Sequence, residues 1–273
     1  MKQQAIRLLA SAALALCAMP ALAEMQSRAV EWQVGDETFA GVLVYDDAST
    51  ELRPGLVMVP DWLGVRDDAV TQARHIAGDD YVVLVADLYG KEVRPDGPEQ
   101  ARAQTGKLYA DPALLRARIN KALDVLRTNA SGAPLDATRL GAFGYCFGGA
   151  AVLELARSGA DVAGVVTFHG GLSTKMPAAK DAVKASVLVL NGAEDRGTAG
   201  DIAGFQEEMN AAGADWQFVN FSDTVHCFAL PHAKSPPGCV YNPLSARRAE
   251  KMMDDFFEER FEAVGGRGVN GPG

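Results

Sequence analysis

The chain opens with two segments in which apolar and polar residues alternate, 29–34 and 38–45, on either side of Gly35-Asp36. This pattern predicts a β-hairpin. Beyond it, short apolar runs alternate with longer segments in which apolar residues recur every three or four positions. The runs predict buried strands at 56–59, 82–86, 140–143, 162–168, 187–190 and 216–221. The longer segments predict helices at 67–76, 114–128, 148–157, 202–212 and 246–261.

Regular alternation of strands and helices predicts an α/β fold, with a mostly parallel, doubly wound sheet flanked by helices. The sequence contains no internal repeat and no domain linker, so residues 24–264 are expected to form one domain. About 250 residues are enough to bury the core of such a domain. The glycine-rich stretch 265–273 predicts a flexible tail.

Residues 1–23 resemble an export signal rather than part of the fold. Lys2 and Arg7 form a basic start, residues 8–18 are apolar, and Ala21-Leu22-Ala23 has the small-residue pattern of a cleavage site. The apolar run is short for a membrane span, so an anchored form is the less favoured alternative. We therefore expect a cleaved signal peptide, a periplasmic or secreted enzyme and no membrane anchor.

The overall composition, with 48% hydrophobic and 22% charged residues, is ordinary for a soluble protein. Lys and Arg number 26 against 35 Asp and Glu, which gives a formal net charge of -9. An acidic chain argues against nucleic acid as a partner, because phosphate binding needs a basic surface. No C-x-x-C or H-x-x-x-H pair predicts a metal site, and no cofactor is expected. The sequence does not indicate the oligomeric state.

The most informative motif is Gly144–Gly148 (GYCFG), which follows a predicted strand and precedes a predicted helix. It resembles the G-x-nucleophile-x-G elbow of α/β-hydrolases, with Cys146 where serine is usual. Glycines are expected on both sides because a side chain there would clash with the neighbouring strand and helix. The alternative is a buried structural cysteine after a core strand.

An acid and a histidine follow Cys146 in the chain order that this fold uses. Glu194 and Asp195 come after the strand predicted at 187–190, and His226 comes after the strand at 216–221. Residues just beyond the carboxyl ends of parallel strands meet at one edge of the sheet. A thiol, a base and an acid that orients the base are what nucleophilic catalysis requires. Spacing alone barely separates Asp195 from Glu194.

Four stretches together resemble the dienelactone hydrolase family: 59–65 (VPDWLGV), 87–90 (DLYG), 144–149 (GYCFGG) and 226–228 (HCF). The resemblance spans about residues 32–261. It implies an α/β-hydrolase fold in which Cys146 is the nucleophile, His226 the base and Asp195 its partner. It also implies an oxyanion hole formed by the backbone N–H groups of Trp62 and Phe147.

The chain departs from the family pattern in its substrate-binding positions. Asp61 stands where the family's best-known members have a Glu that hydrogen-bonds the resting thiol. Leu230 stands where they have an Arg that pairs with the lactone carboxylate, and an alkyl group cannot replace that clamp. Arg102 is a candidate for a second anion-binding Arg, with solvated helix surface as the alternative.

We therefore predict hydrolysis of carboxylic esters or lactones, in which Cys146 forms a thioester acyl-enzyme and His226 acts as base. Four aromatic residues are expected to line a largely apolar pocket: Trp62, Tyr145, Phe147 and Phe228. That pocket, together with Leu230, favours a substrate less anionic than dienelactone.

Three cysteines lie beyond the predicted leader, so at least one thiol is free. One assignment leaves Cys146 free and pairs Cys227 with Cys239; the other leaves both as separate buried thiols. The competing functional class is a non-hydrolytic protein on the same fold. It would be either a ligand-binding protein or a thiol redox protein that uses Cys146 and Cys227. His169, at the end of a predicted strand, either lines the pocket or is a hydrogen-bonded structural histidine.

Overall fold

The computed structural model describes residues 24–130 and 132–266. The strands are β1 Met25–Val34, β2 Glu37–Asp46, β3 Arg53–Val59, β4 Val82–Val85, β5 Leu135–Tyr145, β6 Gly164–Phe168, β7 Ser186–Gly192, β8 Trp216–Phe221, β9 Lys234–Ser235 and β10 Cys239–Val240. The helices are α1 Asp67–Ala77, α2 Pro98–Ala110, α3 Pro112–Asn129, α4 Phe147–Arg157, α5 Ile202–Ala211 and α6 Pro243–Gly266.

Eight strands form one sheet in the order β1-β2-β4-β3-β5-β6-β7-β8. The opening hairpin is antiparallel and joins the sheet antiparallel to β4. From β4 to β8 every neighbouring pair is parallel. The predicted α/β fold with a mostly parallel sheet is therefore confirmed. β9 and β10 form a separate two-stranded ribbon.

Alternate residues of the central strands are buried on opposite faces of the sheet, as the two-residue period of a strand requires. Val57 belongs to a core cluster with Leu115 of α3 and Val152 of α4. Its neighbour Leu56 belongs to a second cluster with Phe257 of α6. Helices α2 to α5 thus cover one face and α1 and α6 the other. Both faces of the central strands are covered, which explains why β4, β6 and β7 are mostly apolar.

The largest difference from the sequence prediction is α2, which the apolar pattern did not predict. Its start is nevertheless marked by Gly97-Pro98, because proline suits the first position of a helix. Helix α6 is longer than predicted and extends to Gly266, two residues into the expected tail. β6 begins at Gly164 rather than at residue 162. The predicted signal peptide, 1–23, and the remainder of the tail, 267–273, lie outside the described residues.

Within residues 24–130 and 132–266, no helix is both long enough and apolar enough to cross a membrane.

Candidate active site

Three loops at the carboxyl ends of the parallel strands meet at one point. They follow β5, β7 and β8, and they carry Cys146, Asp195 and His226. Parallel strands end at the same edge of the sheet, so residues far apart in the chain come together there. Among the described residues, no group of three or more His, Cys, Asp or Glu is arranged to hold a metal ion.

Cys146 lies in a strained turn between β5 and α4. Its φ of 54° and ψ of -115° are unusual for a residue with a side chain. The turn is held by a hydrogen bond from its N–H to the carbonyl of Phe168, 3.0 Å away. A Cβ on Gly148 would lie 2.0 Å from the Val59 carbonyl oxygen, and one on Gly144 would lie 2.3 Å from the Gly148 oxygen. The glycines therefore permit the close approach that exposes the thiol.

His226 bridges Asp195 and Cys146. Its Nδ1 lies 2.7 Å from Asp195 Oδ2, and its Nε2 lies 3.1 Å from Cys146 Sγ. Asp195 is only 4% exposed, and its other carboxylate oxygen accepts a hydrogen bond from the Gly197 N–H. Glu194 is exposed instead. The structure thus brings Asp195, and not Glu194, to the histidine.

The surroundings of His226 favour its protonated form. Burial is the largest single effect and opposes protonation. The hydrogen bonds and charges of Asp195 and Cys146 together outweigh burial, and they raise the pKa of His226 from 6.5 to about 10. At neutral pH the histidine is therefore an imidazolium that faces the sulfur of Cys146.

A disulfide bond fixes the loop that carries the histidine. Cys227, the residue after His226, is bonded to Cys239, whereas Cys146 is free. The Val240 N–H donates to the His226 carbonyl at 3.2 Å, and each of these two residues adjoins a cysteine of the disulfide. The structure therefore contains the first of the two cysteine assignments. The position of His226 depends on β10 as well as on β8.

The two expected oxyanion donors come from different elements, Phe147 from the start of α4 and Trp62 from the loop after β3. Phe147 begins α4, so its N–H is among the first-turn amides without an acceptor inside the helix, and the helix dipole favours negative charge there. Trp62 follows β3, and its carbonyl accepts a hydrogen bond from the Tyr89 hydroxyl at 2.9 Å. That bond leaves the Trp62 carbonyl occupied and fixes the orientation of the turn.

Asp61 does not contact the thiol. Its Oδ1 accepts a hydrogen bond from the Leu63 N–H at 2.9 Å, and its Oδ2 lies 3.4 Å from His232 Nε2. Leu230 is only 4% exposed and lines a small recess together with Asp61 and His232. The position of the family's carboxylate clamp is therefore filled by a buried alkyl group.

Three of the four aromatic residues expected in the pocket are buried in the core instead: Tyr145, Phe147 and Phe228. Tyr145 is 2% exposed, and its ring stacks on Phe168 with centroids 4.7 Å apart. It ends β5 on the same face as Phe143, so strand alternation turns it away from the site. Phe228 is fully buried and packs against Phe221. These rings support the loops of the site without lining a pocket.

Helix α2 forms a wall of the site. Of its two residues there, the sequence predicted Arg102 and not Tyr109. The Arg102 guanidinium lies over the Trp62 ring, 5.6 Å from its centroid. Two helical turns later, the Tyr109 ring packs edge-on against Phe147 at 5.6 Å. The Tyr109 side chain remains 42% exposed, so it stands at the surface of this wall. Arg102 and Tyr109 are seven residues apart, and this spacing places both on one face of a helix. That spacing is the feature of the sequence from which Tyr109 could have been found.

A parallel sheet with a cysteine in a strand–turn–helix elbow, followed by an acid and a histidine on later loops, defines an α/β-hydrolase. The model of the dienelactone hydrolase family matches residues 39–261, and the chain belongs to that family. It is thus a hydrolase that acts on ester bonds.

Three similar proteins match between 76% and 87% of this chain. The solved structure named m3DLH is 37% identical, with a TM-score of 0.81, and the match covers 87% of this chain and 99% of that one. P91, a dienelactone hydrolase-like promiscuous phosphotriesterase from metagenomic libraries, is 32% identical with the same TM-score, over 87% and 99% of the two chains. A putative carboxymethylenebutenolidase of Methylorubrum extorquens is 27% identical over 219 residues, which are 76% of this chain and 72% of that protein.

Proposed function

We propose that this enzyme hydrolyses carboxylic esters or lactones with Cys146 as nucleophile, through a thioester acyl-enzyme. The observation that carries the proposal is the continuous contact from Asp195 through His226 to the Cys146 sulfur, at 2.7 and 3.1 Å. These distances are those of a nucleophile, a base and the acid that orients the base.

In the first half-reaction, the thiolate of Cys146 attacks the carbonyl carbon and a tetrahedral oxyanion forms. The N–H groups of Trp62 and Phe147 stabilise that charge. When the intermediate collapses, the bond to the leaving alkoxide breaks, and the His226 imidazolium gives its proton to the departing oxygen. The products are an alcohol, a thioester on Cys146 and a neutral imidazole.

In the second half-reaction, the neutral His226 takes a proton from water, which attacks the thioester. The acyl-enzyme favours this role, because acylation removes the thiolate charge that helps to keep His226 protonated. Collapse of the second intermediate releases the acid and returns the thiolate–imidazolium pair. Asp195 holds Nδ1 throughout, so Nε2 faces the reacting atoms.

We further propose a substrate that is less anionic than dienelactone. Leu230 offers no charge for a carboxylate, and its burial excludes water from that side. The Arg102 guanidinium is a cation beside the expected oxyanion loop, and it rests on the face of the Trp62 ring. A guanidinium in this position can still pair with the carboxylate of a bound substrate. Arg102→Gln should therefore be included when charged and neutral substrates are compared.

The arrangement of the cysteines supports hydrolysis over thiol redox chemistry. That alternative needs Cys227 as a partner for Cys146, and Cys227 is bonded to Cys239.

The deciding experiment is rapid-mixing hydrolysis of p-nitrophenyl acetate combined with mass spectrometry of the quenched protein. We expect a burst of nitrophenol and an acetyl group on the peptide that contains Cys146. Cys146→Ala should abolish both, while Cys227→Ser, the matched cysteine control, should retain the acetylated peptide. Turnover by Cys146→Ala would overturn the mechanism. A phosphotriester belongs in the same substrate panel because P91, 32% identical, is described as a phosphotriesterase.

We also propose that the enzyme is exported and loses residues 1–23. The support is the pattern of the leader and a disulfide of the kind that persists in oxidising compartments. In a bacterial host, fractionation followed by N-terminal sequencing should find activity outside the cytoplasm on a chain that begins at Glu24. An uncleaved chain in the cytoplasm would contradict export without touching the catalytic proposal.

A further inference from the structure

A cleft of about 550 Å³ opens between α1 and α6. Pro54, in its lining, lies at the amino end of β3, and Tyr81 directly precedes β4. The loops of the proposed active site follow the carboxyl ends of the parallel strands. The cleft therefore lies at the opposite ends of the strands from Cys146, and no step of the proposed hydrolysis involves it.

The lining of this cleft is acidic. Four of its carboxylates come from α6 at intervals of four residues, which places them on one helix face, and a fifth comes from the turn after α1: Glu250, Asp254, Glu258, Glu262 and Asp80. Only Glu250 has a basic partner within residues 24–130 and 132–266, His75 at 2.5 Å. Arg139, the other cation in the lining, is paired with Asp136 at 2.7 Å. A cleft lined by one sign of charge concentrates ions of the other sign.

Tyr81 adds a buried polar group to the same cleft. It is only 8% exposed, and its ring packs against Phe261 with centroids 6.3 Å apart. Its hydroxyl has no hydrogen-bond partner in the part of the chain that the structure describes. Burial raises the pKa of this hydroxyl, and the charges of Asp254, Asp80 and Glu258 raise it further. The hydroxyl thus stays protonated, faces the carboxylates, and has an oxygen free to accept a hydrogen bond from a bound molecule.

The chemistry of the cleft suits an organic cation with several amino groups. Among the described residues, no group of three or more His, Cys, Asp or Glu is arranged to hold a metal ion. The carboxylates of α6 instead succeed one another by about 6 Å along the helix axis, a spacing that matches ammonium groups separated by a few methylenes. The rings of Tyr81 and Phe261 provide an aromatic surface, which attracts both ammonium groups and apolar chain.

We propose that the cleft between α1 and α6 binds an aliphatic polyamine. Its ammonium groups pair with the carboxylates of α6, and its chain lies beside the ring and the hydroxyl of Tyr81. Like charges four residues apart on a helix repel each other, and a bound polyamine removes that repulsion. Because the ligand binds only the folded chain, the midpoint of thermal unfolding should rise with polyamine concentration.

Isothermal titration calorimetry of the purified protein with spermidine tests the proposal, with Mg²⁺ at matched ionic strength as the competing cation. We expect saturable binding of one spermidine per chain and no saturable binding of Mg²⁺. The double variant Asp254→Asn/Glu258→Gln should weaken spermidine binding by about tenfold, the loss expected for two partly exposed charge pairs. Tyr81→Phe keeps the ring and removes the hydroxyl, and it should weaken binding by about threefold or more.

The matched control is Glu99→Gln/Glu207→Gln, which removes the same two charges from exposed side chains on α2 and α5. Its affinity for spermidine should change by less than about twofold, because charges outside the cleft are screened by salt. Equal weakening in the control and the cleft variant would mean that spermidine responds only to net charge, and it would overturn the proposal. Absence of saturable spermidine binding, or tighter binding of Mg²⁺, would overturn it as well. Should the cleft variant not fold, Asp80→Asn/Glu262→Gln replaces it. Ester hydrolysis is not measured, so the proposed enzyme activity is tested separately.

Discussion

Replacing Asp195 by Asn tests whether its carboxylate controls His226. The substitution keeps the size of a side chain that is 4% exposed, and it removes the charge 2.7 Å from the His226 Nδ1. A hydrogen bond to a charged group contributes roughly 1.5–3 kcal/mol, so kcat/KM should fall about 10- to 150-fold. Glu194→Gln is the matched control, because it removes the neighbouring charge from an exposed side chain.

The pH dependence adds a second readout. The pKa of His226 is raised to about 10, partly by Asp195. Asp195→Asn should lower that pKa, so the alkaline limb of kcat/KM for p-nitrophenyl acetate should move to lower pH. A raised pKa stabilises the folded state below the unfolded value near 6.5, and this stabilisation is lost as pH rises through 10. Urea unfolding should therefore separate wild type from Asp195→Asn at pH 6 and much less at pH 10.

Two outcomes would refute this reasoning. One is a damaging Glu194→Gln beside a silent Asp195→Asn, which would mean that the acid is the wrong residue. The other is a large loss of rate in Asp195→Asn with an unchanged alkaline limb, which would mean that the carboxylate acts on structure and not on the charge of His226.

Three further predictions follow from the geometry. Gly148→Ala would place a Cβ 2.0 Å from a backbone oxygen and should destabilise the fold by at least about 2 kcal/mol in urea, whereas Gly204→Ala, with open space around it, should not. Removing both Cys227 and Cys239 should lower the free energy of unfolding by about 2–4 kcal/mol and also lower kcat, because the disulfide fixes the histidine loop; unchanged kcat would show that the loop is fixed otherwise. For a carboxylate substrate and its methyl ester, kcat/KM should favour the ester in wild type, and Leu230→Arg should shift the preference towards the carboxylate by at least about tenfold; a wild-type preference for the carboxylate would contradict the substrate proposal.

Local pattern was sufficient for most of the fold. The central strands β4, β6 and β7 are mostly apolar because both of their faces are covered, and the elbow motif marks a turn where backbones must approach closely. It was not sufficient for α2, whose apolar residues do not form a distinct stripe. Nor could it place Tyr145 and Phe228, since an aromatic residue next to a catalytic position is equally compatible with the core and with the pocket.

The order of Cys146, Asp195 and His226 along the chain could be read from the sequence alone, because each lies directly after a predicted strand. The family resemblance could be read from four short stretches of sequence. Only the tertiary structure determines the directions of the side chains and the distances between residues that are far apart in the chain. It selected Asp195 over Glu194, because only one side chain of a consecutive pair can turn inward to His226. In the folded chain Cys227 is bonded to Cys239, Asp61 lies beside His232, and the His169 ring packs against His226. These contacts join residues that are distant in the chain, and only the packing of the loops at the edge of the sheet fixes their separations.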